Sequence, residues 1–329
     1  MTARVFIDGE AGTTGLQIRE RLAGRSEFEL LSLPDEARKD RGRRAAMLNG
    51  ADVVILCLPD DAARQAVAMI ERPQVRVIDA STAHRASDDW VYGFPEYDAD
   101  QSARIAQATR VTNPGCYAVA AVAMLHPLVA AGLLPAGWPL TINAVSGYSG
   151  GGKALIASFE EPSSPDPIDA AFHVYGLGLA HKHVPEIQRR GGLESRPLLV
   201  PSVGRYRQGM IVQIPLQLWA LPGAPSPGDI HAVLAAHYAG RGFVSVAEPD
   251  ESAALKRLDP EALNGTNALR LHVFGNPDHG QAVITGVLDN LGKGASGQAV
   301  QNLNLMCGLD ETAGLDPSVN IAPGAYVAR

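Results

Sequence analysis

Apolar residues recur in two different rhythms along this chain. In the first third, short β-rich runs alternate with stretches of helical spacing. Val5-Phe6-Ile7 is followed by a glycine-rich turn, and Leu16 to Leu22 then repeats its apolar positions at helical intervals. Phe28 to Leu33 reads as a second strand, and Val53 to Leu58 is unbroken apolar, as in a strand covered on both faces. Asp61 to Ile70 is alanine-rich and helical, and Val75 to Asp79 is again a strand. Strands separated by helices predict a parallel, doubly wound α/β sheet. Beyond Leu140 the rhythm changes. Leu140 to Val145, Leu198 to Val203, Met210 to Pro215, Gly242 to Ala247, Leu269 to Phe274 and Gln281 to Leu288 are strand-like with fewer helices between them, which predicts a second, α+β domain. Gly294 to Gly308 returns to helix and is expected to pack back on the first domain. The expected boundaries are residues 1–115, 116–293 and 294–329.

Tyr117 to Leu134 is almost wholly apolar. Pro127 interrupts it, which predicts a buried helix ending near that proline rather than a membrane span. No basic-then-apolar leader opens the chain, so a soluble, cytoplasmic protein is expected. Lys+Arg minus Asp+Glu is 28 − 35 = −7, a field that disfavours nucleic acid as a partner. The three cysteines, Cys57, Cys116 and Cys307, include no C-x-x-C pair, which argues against a disulfide framework or a zinc ribbon.

Chemistry enters at the end of the first strand. Gly9, Gly12 and Gly15, with Thr13 and Thr14 between them, lie between a strand and a helix. A tight turn there lets main-chain N–H groups approach a pyrophosphate at a helix N-terminus, the signature of a Rossmann dinucleotide-binding domain. Ser32 closes the second strand, with Arg38 and Lys39 soon after. A hydroxyl and two cations suit a 2′-phosphate, so NADP is the cofactor expected; Asp35 and Glu36 pull toward an unphosphorylated ribose.

Asn113-Pro114-Gly115-Cys116 places a thiol where a turn becomes a helix. Unpaired N–H groups and the helix dipole stabilise a thiolate there, and the same groups can hold an oxyanion. Cys57 and Cys307 fall inside a strand and a helix and read as small core residues. His181 and His183 lie just before Pro185, a residue suited to the first turn of a helix. Either could serve as the acid/base partner of Cys116. No third ligand sits at a recognisable spacing, so a metal is not expected. Two loops carry anion-binding groups: Asp79 to Arg85, with Ser81, and Ser146 to Lys153, with Gly147 and Ser149.

These stretches, together with Tyr92-Gly93-Phe94-Pro95-Glu96, Val203 to Met210 and Asp289 to Asn302, span the chain in order. The set resembles the shorter type of the N-acetyl-γ-glutamyl-phosphate reductase family. That family is grouped with aspartate-semialdehyde dehydrogenase and is similar to glyceraldehyde-3-phosphate dehydrogenase in its two-domain plan. The resemblance implies an enzyme of arginine biosynthesis that reduces an acyl phosphate to a semialdehyde with NADPH and releases phosphate. It implies Cys116 as nucleophile, one of His181 and His183 as acid/base, and Asn290, Lys293, Gly294 and Gln298 near the nicotinamide. Arg85 and the loop at Ser146, Gly147 and Ser149 are expected at the phosphate, and Arg205 or Arg207 at the substrate carboxylate. A strand-rich second domain is expected to pair with a copy of itself, as a homodimer or homotetramer. Rival readings are aspartate-semialdehyde dehydrogenase, a carrier-linked aminoadipyl-phosphate reductase, or a regulator that binds NADP without chemistry.

Overall fold

The computed structural model describes residues 2–38 and 40–317. Among the described residues there are two compact units, one of those before Cys116 with Ala295–Leu315, the other of Cys116–Gly294 with Asp316 and Pro317. Lys39 and the end of the expected tail segment, 318–329, lie outside the described residues.

The first unit contains β1 (Ala3–Asp8), α1 (Thr13–Leu22), β2 (Phe28–Leu31), α2 (Arg41–Gly50), β3 (Val53–Leu56), α3 (Asp60–Ala68), β4 (Arg76–Asp79), β5 (Val91–Tyr92), α4 (Gln101–Gln107) and β6 (Arg110–Thr112). The sheet order is β2-β1-β3-β4-β6-β5, and every pairing is parallel. Phe6, Val54, Leu56 and Val77 share one core with Leu48 and Ala63 from the helices. Strands buried on both faces explain the unbroken apolar run through β3. The winding changes direction between β1 and β3, the place where open α/β sheets take ligands.

The second unit contains α5 (Cys116–Ala130), β7 (Thr141–Gly147), α6 (Gly152–Glu160), β8 (Phe172–Val174), α7 (Val184–Arg190), β9 (Leu198–Gly204), β10 (Met210–Gln217), α8 (Pro227–Tyr238), β11 (Val244–Val246), α9 (Pro249–Ala254), β12 (Leu269–Asn276) and β13 (Gln281–Leu288). Its sheet runs β11-β12-β13-β10-β7-β9-β8 and is mixed. The expected pairing of a parallel α/β sheet with an α+β unit is therefore what the chain adopts. A π-turn at Gly292–Ser296 leads into α10 (Gly297–Met306), which packs on α4 and α1.

Two differences from the sequence reading have physical causes. The apolar helix α5 does not stop near Pro127 but runs through it to Ala130. Pro127 offers no N–H to the carbonyl of Ala123, and the Tyr238 hydroxyl donates to that carbonyl at 2.8 Å instead. A proline inside a helix costs about 3 kcal/mol, and the full burial of Leu128 together with this replacement bond offsets it. Ser146 and Gly147 belong to β7 rather than to a loop, and Lys153 lies in the first turn of α6. Gly147 pairs in register with Gly204, and a Cβ there would lie 2.6 Å from the Arg207 main chain, so the glycine serves a close approach rather than flexibility. The helix α10 carries a row of fully buried amides, Gln298, Gln301, Asn302 and Asn304. Asn302 Nδ2 donates to Gly93 O at 2.9 Å and Asn304 Nδ2 to Ala313 O at 2.9 Å, which satisfies these two buried amide N–H groups. No helix among the described residues is long and apolar enough to cross a membrane.

Candidate active site

Cys116 is the first residue of α5, a helix whose next nine residues are all buried. A helix apolar on every side is held in place by its surroundings, so its first turn is a rigid platform. Gly294 stands against the thiol residue: a Cβ at 294 would lie 2.8 Å from the Cys116 Cβ. Only glycine fits there without moving the sulfur. The other two cysteines differ. Burial, reinforced by Asp79 and Asp8, pushes the Cys57 thiol up to about 12, and burial raises that of Cys307. Neither is poised for attack.

His183 caps the N-terminus of α7, with Pro185 in its first turn, so both histidines stand at the loop-to-helix junction that their spacing predicts. His181 accepts the main-chain N–H of His183 on its Nδ1 at 3.1 Å. Burial, with some help from Lys182, lowers its pKa to about 4, so the ring is neutral at pH 7. With Nδ1 occupied by a donor, the single ring proton sits on Nε2. That nitrogen lies 3.3 Å from the Tyr175 hydroxyl, which donates to the Tyr117 hydroxyl at 3.1 Å, which in turn donates to Ser202 O at 3.3 Å. Burial raises both tyrosines, Tyr175 to about 12, so the whole chain of groups is uncharged. The tyrosines were not singled out from the sequence, because an aromatic in an apolar run reads as core.

The glycine loop has the shape expected of a phosphate cradle. Gly9 has φ +94, and a Cβ there would lie 2.3 Å from Cys57 O. A Cβ on Gly15 would lie 2.5 Å from Gly9 O. The helix α1 begins after Gly12 with no side-chain cap and no acid in its first turn, which leaves its N–H groups for an anion. Thr13 Oγ1 is buried without a partner beside them, and Thr14 follows in the same turn. Ser32 and Arg38 converge on Glu10, a residue to which sequence reasoning assigned no role. Gln298 is wholly buried with its Oε1 unpartnered. These residues fit a dinucleotide.

Other expected ligands are committed elsewhere. Ser81 donates from N and Oγ to Asp79, a loop closed further by His84 Nδ1 at 2.6 Å from the same carboxylate. Arg85 is buried and donates to Asn113 O at 2.9 Å and Ala80 O at 2.8 Å, bracing the strand before the Pro114 turn. Asn290 joins Gly209 N at 2.7 Å to Ser149 Oγ at 3.0 Å, and Ser146 Oγ donates to Gly147 O, so this corner is built as a brace. Lys293 is fully buried with its ammonium over the Phe243 ring. Arg205 and Arg207 are exposed and pair with Asp169 at 3.6 Å and Glu160 at 2.5 Å. In the absence of substrate their guanidiniums are held by these surface carboxylates. Among the described residues no His, Cys, Asp and Glu group could hold a metal.

Comparison with known proteins follows this division. Residues 38–105 match the family described as semialdehyde dehydrogenase, NAD binding domain, and residues 116–290 match semialdehyde dehydrogenase, dimerisation domain. N-acetyl-gamma-glutamyl-phosphate reductase 2 of Pseudomonas putida is 59% identical over 307 residues, 93% of this chain and 97% of that protein. The chain belongs to the N-acetyl-γ-glutamyl-phosphate reductase family. A second member, from Brucella ovis, is 55% identical over 94% of this chain and its own full length. Among solved structures, aspartate semialdehyde dehydrogenase II of Vibrio cholerae, complexed with ASA, superimposes with a TM-score of 0.67 at 15% identity, over 93% of this chain and 98% of that one. The Francisella tularensis enzyme gives 0.67 at 12% identity, over 92% and 99%. At such identities the likeness is one of fold. As a member of this family the chain is an oxidoreductase with a nicotinamide dinucleotide-binding domain.

Proposed function

We propose that this chain catalyses NADPH-dependent reductive dephosphorylation of N-acetyl-L-glutamyl 5-phosphate to N-acetyl-L-glutamate 5-semialdehyde and phosphate, a step of arginine biosynthesis. The observation that carries the reading is Cys116 at the first position of a fully packed helix, with Gly294 keeping the space beside it open. The Cys116 thiolate attacks the acyl carbon, the carbon–oxygen bond to phosphate breaks, and a thioester remains. The N–H groups at the start of α5 hold the oxygen that becomes negative. His181, neutral and with its proton on Nε2, turns that N–H from the Tyr175 hydroxyl to this oxygen as a hydrogen-bond donor and keeps the proton, so it is the member of the pair that serves the reacting atoms; His183 holds it in orientation through its main chain. Collapse of the tetrahedral oxyanion restores the carbonyl and returns the thiolate. NADPH supplies the hydride when bound, held by Gly9, Gly12, Thr13, Thr14 and Gly15 with Ser32, Arg38 and Gln298.

In this reading the first unit binds NADP and the second carries the thiol and joins a second copy of the chain. Phe172, Val174, Leu177, Leu179 and Leu198 form an exposed apolar strip on and beside the edge strand β8, and a homodimer or homotetramer covers it. Substituting Leu177 and Leu179 by Asp then yields a monomer in sedimentation. The cytoplasm, which keeps thiols reduced, is the compartment this chemistry needs. The deciding assay is NADP⁺ reduction with N-acetylglutamate 5-semialdehyde, which must require phosphate or arsenate. A preference for aspartate semialdehyde, indifference to the oxyanion, or binding of NADP with no turnover would replace this function by one of its rivals.

A further inference from the structure

The glycine loop holds a cluster that a bare pyrophosphate cradle does not need. Glu10 is 8% exposed. Its Oε2 lies 2.5 Å from Arg19 Nη1 and accepts from Ser32 Oγ at 3.3 Å, while its Oε1 accepts from Arg38 Nη2 at 3.2 Å. Arg19 Nη1 also donates to Ser32 Oγ at 2.6 Å. The three donors come from α1, from the residue after β2, and from the turn after Asp35–Ala37. Glu10 and Arg38 line a cavity of about 170 Å³ with Leu33, Leu58 and Ala62, and the Asp8–Arg44 ion pair closes its wall. An apolar slot beside two guanidiniums and a hydroxyl matches the adenosine end of a dinucleotide.

Two guanidiniums and a hydroxyl around a pair of oxygens form the donor set of a phosphate monoester. A carboxylate already stands in that set. A 2′-phosphate brings a charge of about −1.5 to −2 at neutral pH, so it meets Glu10 as a like charge competing for the same cations. An unphosphorylated ribose instead brings a 2′-hydroxyl, which donates to a carboxylate. We infer that Glu10 sets cofactor selectivity: it competes with the 2′-phosphate of NADP(H) for Arg19 and Arg38, and it accepts the 2′-hydroxyl of NAD(H). NADP(H) binds by drawing the two guanidiniums off Glu10. This rests on the reading of the first unit as a dinucleotide site.

The test is direct binding of NADPH and of NADH to the full chain, followed by nicotinamide fluorescence without substrate. In Glu10→Gln, which keeps the shape and removes the charge, the preference for NADPH over NADH rises by about tenfold or more, from tighter NADPH and weaker NADH. Arg19→Ala and Arg38→Ala each weaken NADPH and spare NADH. An unchanged preference in Glu10→Gln overturns the inference, as does weaker NADPH binding, which would make Glu10 a support for the arginines. An unaltered protein that binds neither dinucleotide removes the cofactor reading itself. Binding of both with no selectivity change removes only the role of Glu10.

Discussion

The glycine loop and the thiol pocket solve opposite electrostatic problems. Around Glu10 the structure concentrates charge: two guanidiniums and a carboxylate lie within 3.2 Å contacts, and Asp8 and Arg44 stand nearby at 2.7 Å. Around Cys116 it removes charge: His181 is kept neutral, and Tyr175 and Tyr117 are held protonated by burial. A bound phosphate is a permanent anion, so fixed cations suit it. An oxyanion exists only during reaction, so oriented neutral donors stabilise it without also gripping the substrate.

Separating the two regions has the largest expected effect. Cys116→Ser lowers turnover by more than about 10⁴-fold and leaves the NADPH dissociation constant unchanged, seen by steady-state rates beside a binding titration. Residual turnover near the parent rate would show that the sulfur is not the nucleophile. Gly294→Ala tests whether the pocket depends on placement: displacing the thiol by about 1 Å costs on the order of 10² in kcat, measured at saturating NADPH. Tyr175→Phe removes the acceptor of His181 Nε2–H and is expected to cost about tenfold in kcat, with little change in substrate KM. A loss in KM alone would place Tyr175 in substrate binding.

The smallest effect is on pH. His181 and His272 are both lowered to about 4 by burial, so the folded protein refuses protons that the unfolded chain takes below about 6.5. Their contribution to stability is complete above pH 6.5 and is lost as the pH falls toward 4. Urea midpoints measured across that window should decline, and the decline should flatten in His272→Gln. The acid limb of the rate profile should fall near pH 4 rather than 6.5, because His181 acts while neutral.

Local signals carried some of the site and not the rest. The placement of Cys116 at a helix start and of the histidines just before another was legible because a turn dipeptide before an apolar run and a proline at a helix start act within a few residues. The glycines were legible for the same reason. Glu10 was not, since an acid in a glycine loop reads as solvated until Arg19, Ser32 and Arg38 are brought to it. The Asp169 and Glu160 partners of Arg205 and Arg207 were not legible either, because a guanidinium suits a substrate carboxylate and a surface Asp or Glu equally well. Tyr238 and Pro127 are 111 positions apart in sequence count only; the bond from Tyr238 to Ala123 spans 115 residues and leaves no local trace.

By itself the amino-acid order determined the two rhythms of the fold, the glycine turn and the thiol at a helix start, because each depends on interactions between near neighbours along the chain. Only the tertiary structure decided the proton position on His181, the hydroxyl chain behind it and the carboxylate among the arginines. Those depend on burial and on donors from distant segments, and neither exists until the chain has folded.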